Sequence, residues 1–256
     1  MRGLLMILVA IVTAALSVSV AGCSSTEGGL IRLRAVIDGQ NTLTISDGGV
    51  TTRGVVVFFH GLDRDETILD VDEAHRALVR DLCAAGYVVV AGRAGGNAYG
   101  NPASQRHYAA IAEATAERHR VSDVFFLAES MGTIAAVNVM AKHSDLRPRG
   151  LAAIGPALTF AQATGGYQQG LAAANPDLPG TDPMRLPVDS LAGANIRFYV
   201  SPQDTLVSTA ANAAAFRARF GQVATISMVE CSGAHLDSSC IRGEDVVSWF
   251  NHIAPW

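Results

Sequence analysis

Residues 124–132 read Val124-Phe-Phe-Leu-Ala128-Glu129-Ser130-Met131-Gly132, a short apolar stretch running straight into a serine placed between a charged residue and a small Met-Gly step. A short continuous apolar run of this kind suits a strand buried on both faces. A serine at a sharp turn between such a strand and the following helix is pushed into strained backbone geometry. Its hydroxyl then projects from the sheet edge, and the next N–H points at any oxyanion formed there. Small residues two before and two after the serine, here Ala128 and Gly132, let strand and helix pass closely. The same letters also fit a plain strand end followed by a Ser N-cap of a helix over 131–142, so the segment by itself leaves both readings open.

Three further apolar strands end in polar residues of complementary chemistry. Gly54-Val-Val-Val-Phe-Phe-His-Gly-Leu62 ends in His60-Gly61, Ile196-Arg-Phe-Tyr-Val-Ser-Pro-Gln-Asp204 ends at an acid, and Ala224-Thr-Ile-Ser-Met-Val-Glu230 ends shortly before His235. The chain order is therefore Ser130, Asp204, His235, each just past the carboxyl end of its own strand. Asp204 by itself also suits a turn former in Ser-Pro-Gln-Asp. Asp237 lies two residues from His235, too close along the loop to reach the far side of the ring.

This arrangement resembles the α/β-hydrolase superfamily, over nearly all of the chain from about Thr42 to the C-terminus. The resemblance implies an α/β-hydrolase fold, a mostly parallel central sheet with helices on both faces and a small lid. It also implies Ser130 as nucleophile, Asp204 as acid and His235 as base. Leu62 and Met131 match the two residues whose backbone N–H groups form the oxyanion hole. The superfamily usually has Gly where this chain has Ala128. The expected activity is cleavage of a small-molecule or lipid carboxylic ester through an acyl-enzyme. Two alternatives use the same fold: an acyltransferase on the same triad, and a non-catalytic lipoprotein that binds a lipid or envelope partner.

The N-terminus carries one positive charge in Met1-Arg2-Gly3, an apolar run from Leu4 to Val20, and then Ala21-Gly22-Cys23. That run suits the apolar region of a secretory signal. Small residues before Cys23 and polar Ser24-Ser25-Thr26-Glu27-Gly28-Gly29 after it resemble the lipobox of bacterial lipoproteins. The expectation is cleavage after residue 22, acylation of Cys23, a tether over 23–30 and a catalytic domain over 31–256. Such a protein is exported and lipid-anchored to a bacterial membrane on its extracytoplasmic face. An ordinary cleaved signal and an uncleaved anchor are the competing readings.

Loss of the signal leaves 234 of the 256 residues, enough for one α/β core and too few for two catalytic domains. The formal charge of −4, moving to −5 as Arg2 leaves, gives no electrostatic footprint for nucleic acid. Cys231 and Cys240 flank His235, and export makes a disulfide between them available; two free thiols are the alternative. Cys83 sits among Leu78, Val79 and Leu82 and reads as a buried apolar residue.

Strands and helices alternate as in a parallel sheet with right-handed crossovers. Strands are expected at 31–37, 42–46, 55–59, 87–91, 123–127, 150–154, 196–200 and 224–229. Helices are expected at 72–85, 104–119, 131–142, 209–220 and 243–253. The segment 156–190, rich in Gly, Gln, Ala and Pro, is too long for an ordinary connection and reads as the lid. His75, His107, His119 and His143 read as solvated helix faces, His60 as a buttress of its own loop, and Asp63, Asp65 and Glu66 as a solvated rim. The loop 92–102 lacks the P-loop and dinucleotide fingerprints and reads as a pocket wall, with Arg93, Asn97 and Tyr99 as candidate substrate contacts. No histidine pair has metal-ligand spacing on one helix, and no cofactor is expected.

Overall fold

A computed structural model describes residues 23–143, 145–176 and 180–255. The expected signal peptide, residues 1–22, lies outside the described residues. Nine strands form one sheet: β1 (Cys23–Glu27), β2 (Leu30–Ile37), β3 (Gln40–Asp47), β4 (Gly54–Phe59), β5 (Tyr87–Gly92), β6 (Val124–Glu129), β7 (Leu151–Ile154), β8 (Asn195–Val200) and β9 (Thr225–Glu230). Their spatial order is β1-β2-β3-β5-β4-β6-β7-β8-β9. The pairs β1–β2, β2–β3 and β3–β5 are antiparallel, and every pair from β5 to β9 is parallel.

The helices are α1 (Glu73–Ala84), α2 (Pro102–His119), α3 (Gly132–Lys142), α4 (Gly165–Ala174), α5 (Ala215–Phe220) and α6 (Gly243–Ile253). The central strands β4, β5, β6 and β7 are buried at every position, because helices cover both faces of the sheet. Side chains alternate between two cores, as the two-residue strand period requires. Val55, Val57, Phe59, Phe126 and Ala128 share one core with Tyr108 of α2, Ala135 of α3 and Phe216 of α5. Val56, Phe58, Phe125 and Leu127 share the other with Leu78 and Leu82 of α1 and Phe250 of α6. Ala128 therefore sits in a core rich in small neighbours, with Ala135, Ala136 and Ala153 in the same cluster.

The expected tether is a strand. Cys23–Glu27 pairs with β2 in the register Cys23↔Arg34 to Glu27↔Leu30. Gly28 and Gly29, at φ +58° and +84°, supply the two left-handed positions of a tight hairpin turn, so this Gly-Gly step reverses the chain instead of loosening it. The expected helix 209–220 opens with a π-helical turn, Ala210–Ala214. Within it Asn212 donates from Nδ2 to the Ser208 carbonyl and accepts from the Leu158 and Thr159 N–H groups. The described residues of the segment 156–190 include α4 and the short 3₁₀ turns that begin at Pro183 (Pro183–Arg185) and Val188 (Val188–Leu191).

His75 is buried, contrary to its reading as a solvated helix face, because carboxylates meet both of its ring nitrogens. Glu66, read as part of a solvated rim, is buried on a 3₁₀ turn over Glu66–Asp70, whereas Asp63 is exposed. Cys83 is buried, and desolvation pushes its thiol up to about 12, which leaves it unreactive. No helix among the described residues is long and apolar enough to cross a membrane.

Cys231 and Cys240 form a disulfide with a sequence separation of 9. Closing so short a loop stabilises the fold by roughly 2–3 kcal/mol through the unfolded state. Reduction is expected to lower the calorimetric melting temperature by roughly 5–10 °C, with Cys83 unalkylated while the protein stays folded; an unchanged melting temperature would contradict this.

Candidate active site

β6 delivers Ser130 at the C-terminal edge of the sheet. Its backbone is left-handed, φ +46°, a conformation that costs a non-glycine residue about 1–3 kcal/mol. Three bonds hold it there: Ser130 N–H to the Ile154 carbonyl at 3.0 Å, and the Ser130 carbonyl accepting from Thr133 at 3.1 Å and Ala157 at 3.2 Å. Gly132 is required by close approach, since a Cβ there would lie 2.2 Å from the Phe59 carbonyl oxygen and 2.6 Å from that of His60.

The structure brings the three sequence-predicted residues into one row. Ser130 Oγ lies 2.8 Å from His235 Nε2, and His235 Nδ1 lies 2.6 Å from Asp204 Oδ2. Asp204 is buried, and its Oδ1 accepts from the Leu206 and Val207 N–H groups at 3.0 and 2.8 Å. Those bonds aim the other carboxylate oxygen at the imidazole. Asp237 is turned away: it is the N-cap of a 3₁₀ turn and accepts from Ser239 N–H at 2.9 Å, which holds its carboxyl below the usual range.

The loops that carry Asp204 and His235 are tied directly to each other. Ser201 Oγ donates to the Gly233 carbonyl at 2.6 Å, and Gly233 N–H donates to Gln203 Oε1 at 2.7 Å. Gly155, at φ +52°, floors the imidazole, because a Cβ there would sit 3.0 Å from His235 Cε1. None of these supports was evident from sequence, although Ser201 and Gln203 lie in the Ser-Pro-Gln-Asp turn that drew attention to Asp204.

His60-Gly61-Leu62 passes beside Ser130; a Cβ on Gly61 would be 3.6 Å from that of Ser130. The His60 ring is buried, its nitrogens 2.9 and 3.0 Å from the carbonyl oxygens of Gly61 and Arg93. It thus joins the loop after β4 to the loop after β5. Asn97 repeats that link, accepting from Asp63 N–H at 2.8 Å and donating to Asp63 Oδ1 at 2.7 Å. Leu62 and Met131 border an apolar cluster with Tyr99, Ile134, Tyr167 and Leu171. The Arg93 side chain is exposed, whereas Tyr99 is buried in that cluster. Among the described residues no group of His, Cys, Asp and Glu is placed to hold a metal ion.

No family model matches the chain, and no curated protein matches it in sequence. Solved structures do match. Brefeldin A esterase, described as a bacterial homologue of human hormone sensitive lipase, has 20% identity and a TM-score of 0.62, over 95% of this chain and 78% of that one. An S-formylglutathione hydrolase from Agrobacterium tumefaciens has 16% identity and a TM-score of 0.63, over 91% of this chain and 97% of that one. Est1E from Butyrivibrio proteoclasticus has 13% identity and a TM-score of 0.64, over 87% of this chain and 98% of that one. The chain has the α/β-hydrolase fold.

The row of bonds separates the two aspartates experimentally. Asp204→Asn is expected to slow acylation of Ser130 by an electrophile by roughly ten-thousandfold, since the amide holds the imidazole in the wrong tautomer. Asp237→Asn should slow it by less than about tenfold, because that carboxyl serves only a turn. Reversed effects would move the acid to Asp237.

Proposed function

We propose that the protein is a serine hydrolase that cleaves a carboxylic ester through an acyl-enzyme at Ser130. The observation that carries this reading is the unbroken row Ser130 Oγ, His235 imidazole and Asp204 carboxylate, at 2.8 and 2.6 Å. Several of the structures with the same fold are named as esterases, which supports ester over amide chemistry.

In this reaction Ser130 Oγ attacks the ester carbonyl carbon as its proton passes to His235 Nε2. Asp204 accepts from Nδ1–H and stabilises the imidazolium. The backbone N–H groups of Leu62 and Met131 receive the oxyanion. His235 then returns the proton to the alcohol as the C–O bond breaks, and water, activated by the same imidazole, releases the acid. The apolar cluster beside Met131 and Leu62 takes the acyl group, and the segment 156–190 acts as its lid. Tyr99, Tyr167 and Leu171 pack together in that cluster, which favours short and medium acyl chains over long ones.

We further propose that the enzyme is exported and held at the membrane by lipid on Cys23. Cys23 begins an edge strand and is exposed, so an acyl chain there would leave the sheet undisturbed.

Three experiments test these readings. A fluorophosphonate should label Ser130 and nothing in Ser130→Ala, with hydrolysis falling on the order of a millionfold. Across p-nitrophenyl esters, turnover should be higher for butyrate than for palmitate. Labelling that survives Ser130→Ala would overturn the nucleophile. For the anchor, mass spectrometry of the native N-terminus should find acylated Cys23, and Cys23→Ser should abolish the modification. An unmodified N-terminus at another residue would refute the lipoprotein reading.

A further inference from the structure

Behind the Ser130 turn lies a row of charge that the reaction outlined above leaves unused. Glu129, the residue before Ser130, is 1% exposed, and its Oε1 lies 2.8 Å from His75 Nε2. His75, 6% exposed in the first turn of α1, has Nδ1 2.8 Å from both carboxylate oxygens of Asp72. Asp72 also caps α1, accepting from His75 N–H at 2.9 Å. A neutral imidazole has one N–H and can donate to only one carboxylate, so a ring between two carboxylates is an imidazolium. Burial by itself would lower the His75 pKa; the hydrogen bond and charge of Glu129, followed by those of Asp72, outweigh it and raise the value to about 9.

The strand period explains why this row meets the nucleophile. Phe125 and Leu127 face the core shared with α1, so Glu129 faces α1 as well, while Ser130 turns toward α3. A buried ion pair is poor value as stability alone, since an apolar pair of similar volume does as well. Its directional bonds fix geometry. We propose that Glu129 and His75 are positioning residues for Ser130: their bond ties the end of β6 to α1 and holds the strained turn that keeps Oγ on His235. This rests on the esterase reading and deepens it.

Apart from Glu66, other titratable groups on the elements packed against α1 are engaged elsewhere. Asp47 of β3 lies near Cys83, Tyr87 of β5 donates to Asn251, Glu244 of α6 lies near Asp81, and Asp70 pairs with Arg32. On α1 itself Arg76 and Arg80 pair with Glu73. β4 presents the Phe58 ring edge-on to the imidazole at 6.1 Å. Glu66, buried on the 3₁₀ turn, has an Oε2 that makes no hydrogen bond among the described residues.

The test uses the exported protein with p-nitrophenyl butyrate and a fluorophosphonate, each rate expressed per titrated site. Glu129→Ala should lower kcat and the labelling rate roughly hundredfold, as a small displacement of a reacting atom does, with KM within about twofold. Glu129→Gln, which still accepts from His75, should recover most of that loss. In the wild type kcat should hold at neutral pH and fall as pH rises through about 9 and His75 loses its proton; His75→Gln should start low and lack that fall. A merely structural role would lower melting temperature and the number of titratable sites but leave kcat per site unchanged, and that result would overturn the proposal. If Glu129→Ala fails to fold, an alkaline fall in His75→Gln equal to the wild type's would overturn it equally. A wild type that neither hydrolyses nor labels would overturn the esterase reading and this role with it; an active wild type with unchanged variants would overturn the positioning role alone.

Discussion

The candidate site at the C-terminal edge of the sheet depends on one residue held in the left-handed region, Ser130 at φ +46°. That conformation is disfavoured and persists only because its surroundings over-determine it. The Ile154 carbonyl holds the amide of Ser130, the amides of Thr133 and Ala157 hold its carbonyl, and Gly132 lets α3 pass against the Phe59 and His60 carbonyls. Relaxing the turn into ordinary strand or helix geometry would withdraw Oγ from His235. The buried sheet and the two helix layers are the frame that makes this one dihedral affordable.

His235 and Asp204 are held by a different device. They lie on loops, where positions drift unless something fixes them. Here the loops are fastened to each other through Ser201, Gln203 and Gly233, and the His235 loop is closed by the Cys231–Cys240 disulfide. Gly155 limits the imidazole from below, and the Leu206 and Val207 amides orient Asp204 from behind. His235 therefore reaches both partners without a large rotation of its ring, the preorganisation that acid–base catalysis needs.

The sheet was legible wherever burial was two-sided. β4 and β5 are continuous apolar runs and lie within a residue of their expected bounds, whereas β6 continues two residues past its expected end to Glu129, whose carboxylate is buried against His75. The order Ser130, Asp204, His235 was legible because each residue follows its own strand. Less legible were features that depend on partners distant in sequence. Ser24-Ser25-Thr26 looks like a solvated linker, and only the Gly28-Gly29 turn gives away its pairing with β2. The helix 209–220 has ordinary propensities, and its π turn accompanies the bonds of Asn212 to Leu158 and Thr159. His75 did leave a signal: His75, Leu78, Val79 and Leu82 follow the i, i+3, i+4, i+7 spacing of a buried helix face. A histidine on that stripe needs a buried partner, and Glu129, next to Ser130, supplies it.

The central claim is that a covalent acyl group passes through Ser130. The most direct measurement is to quench turnover of a p-nitrophenyl ester in acid within the first cycles and map the protein by mass spectrometry. The account predicts one acyl adduct per active chain, on the peptide containing Ser130, forming with the first burst of nitrophenol and decaying at the turnover rate. Hydrolysis that proceeds with Ser130 unmodified throughout, or an adduct on another residue that turns over at the catalytic rate, would contradict it.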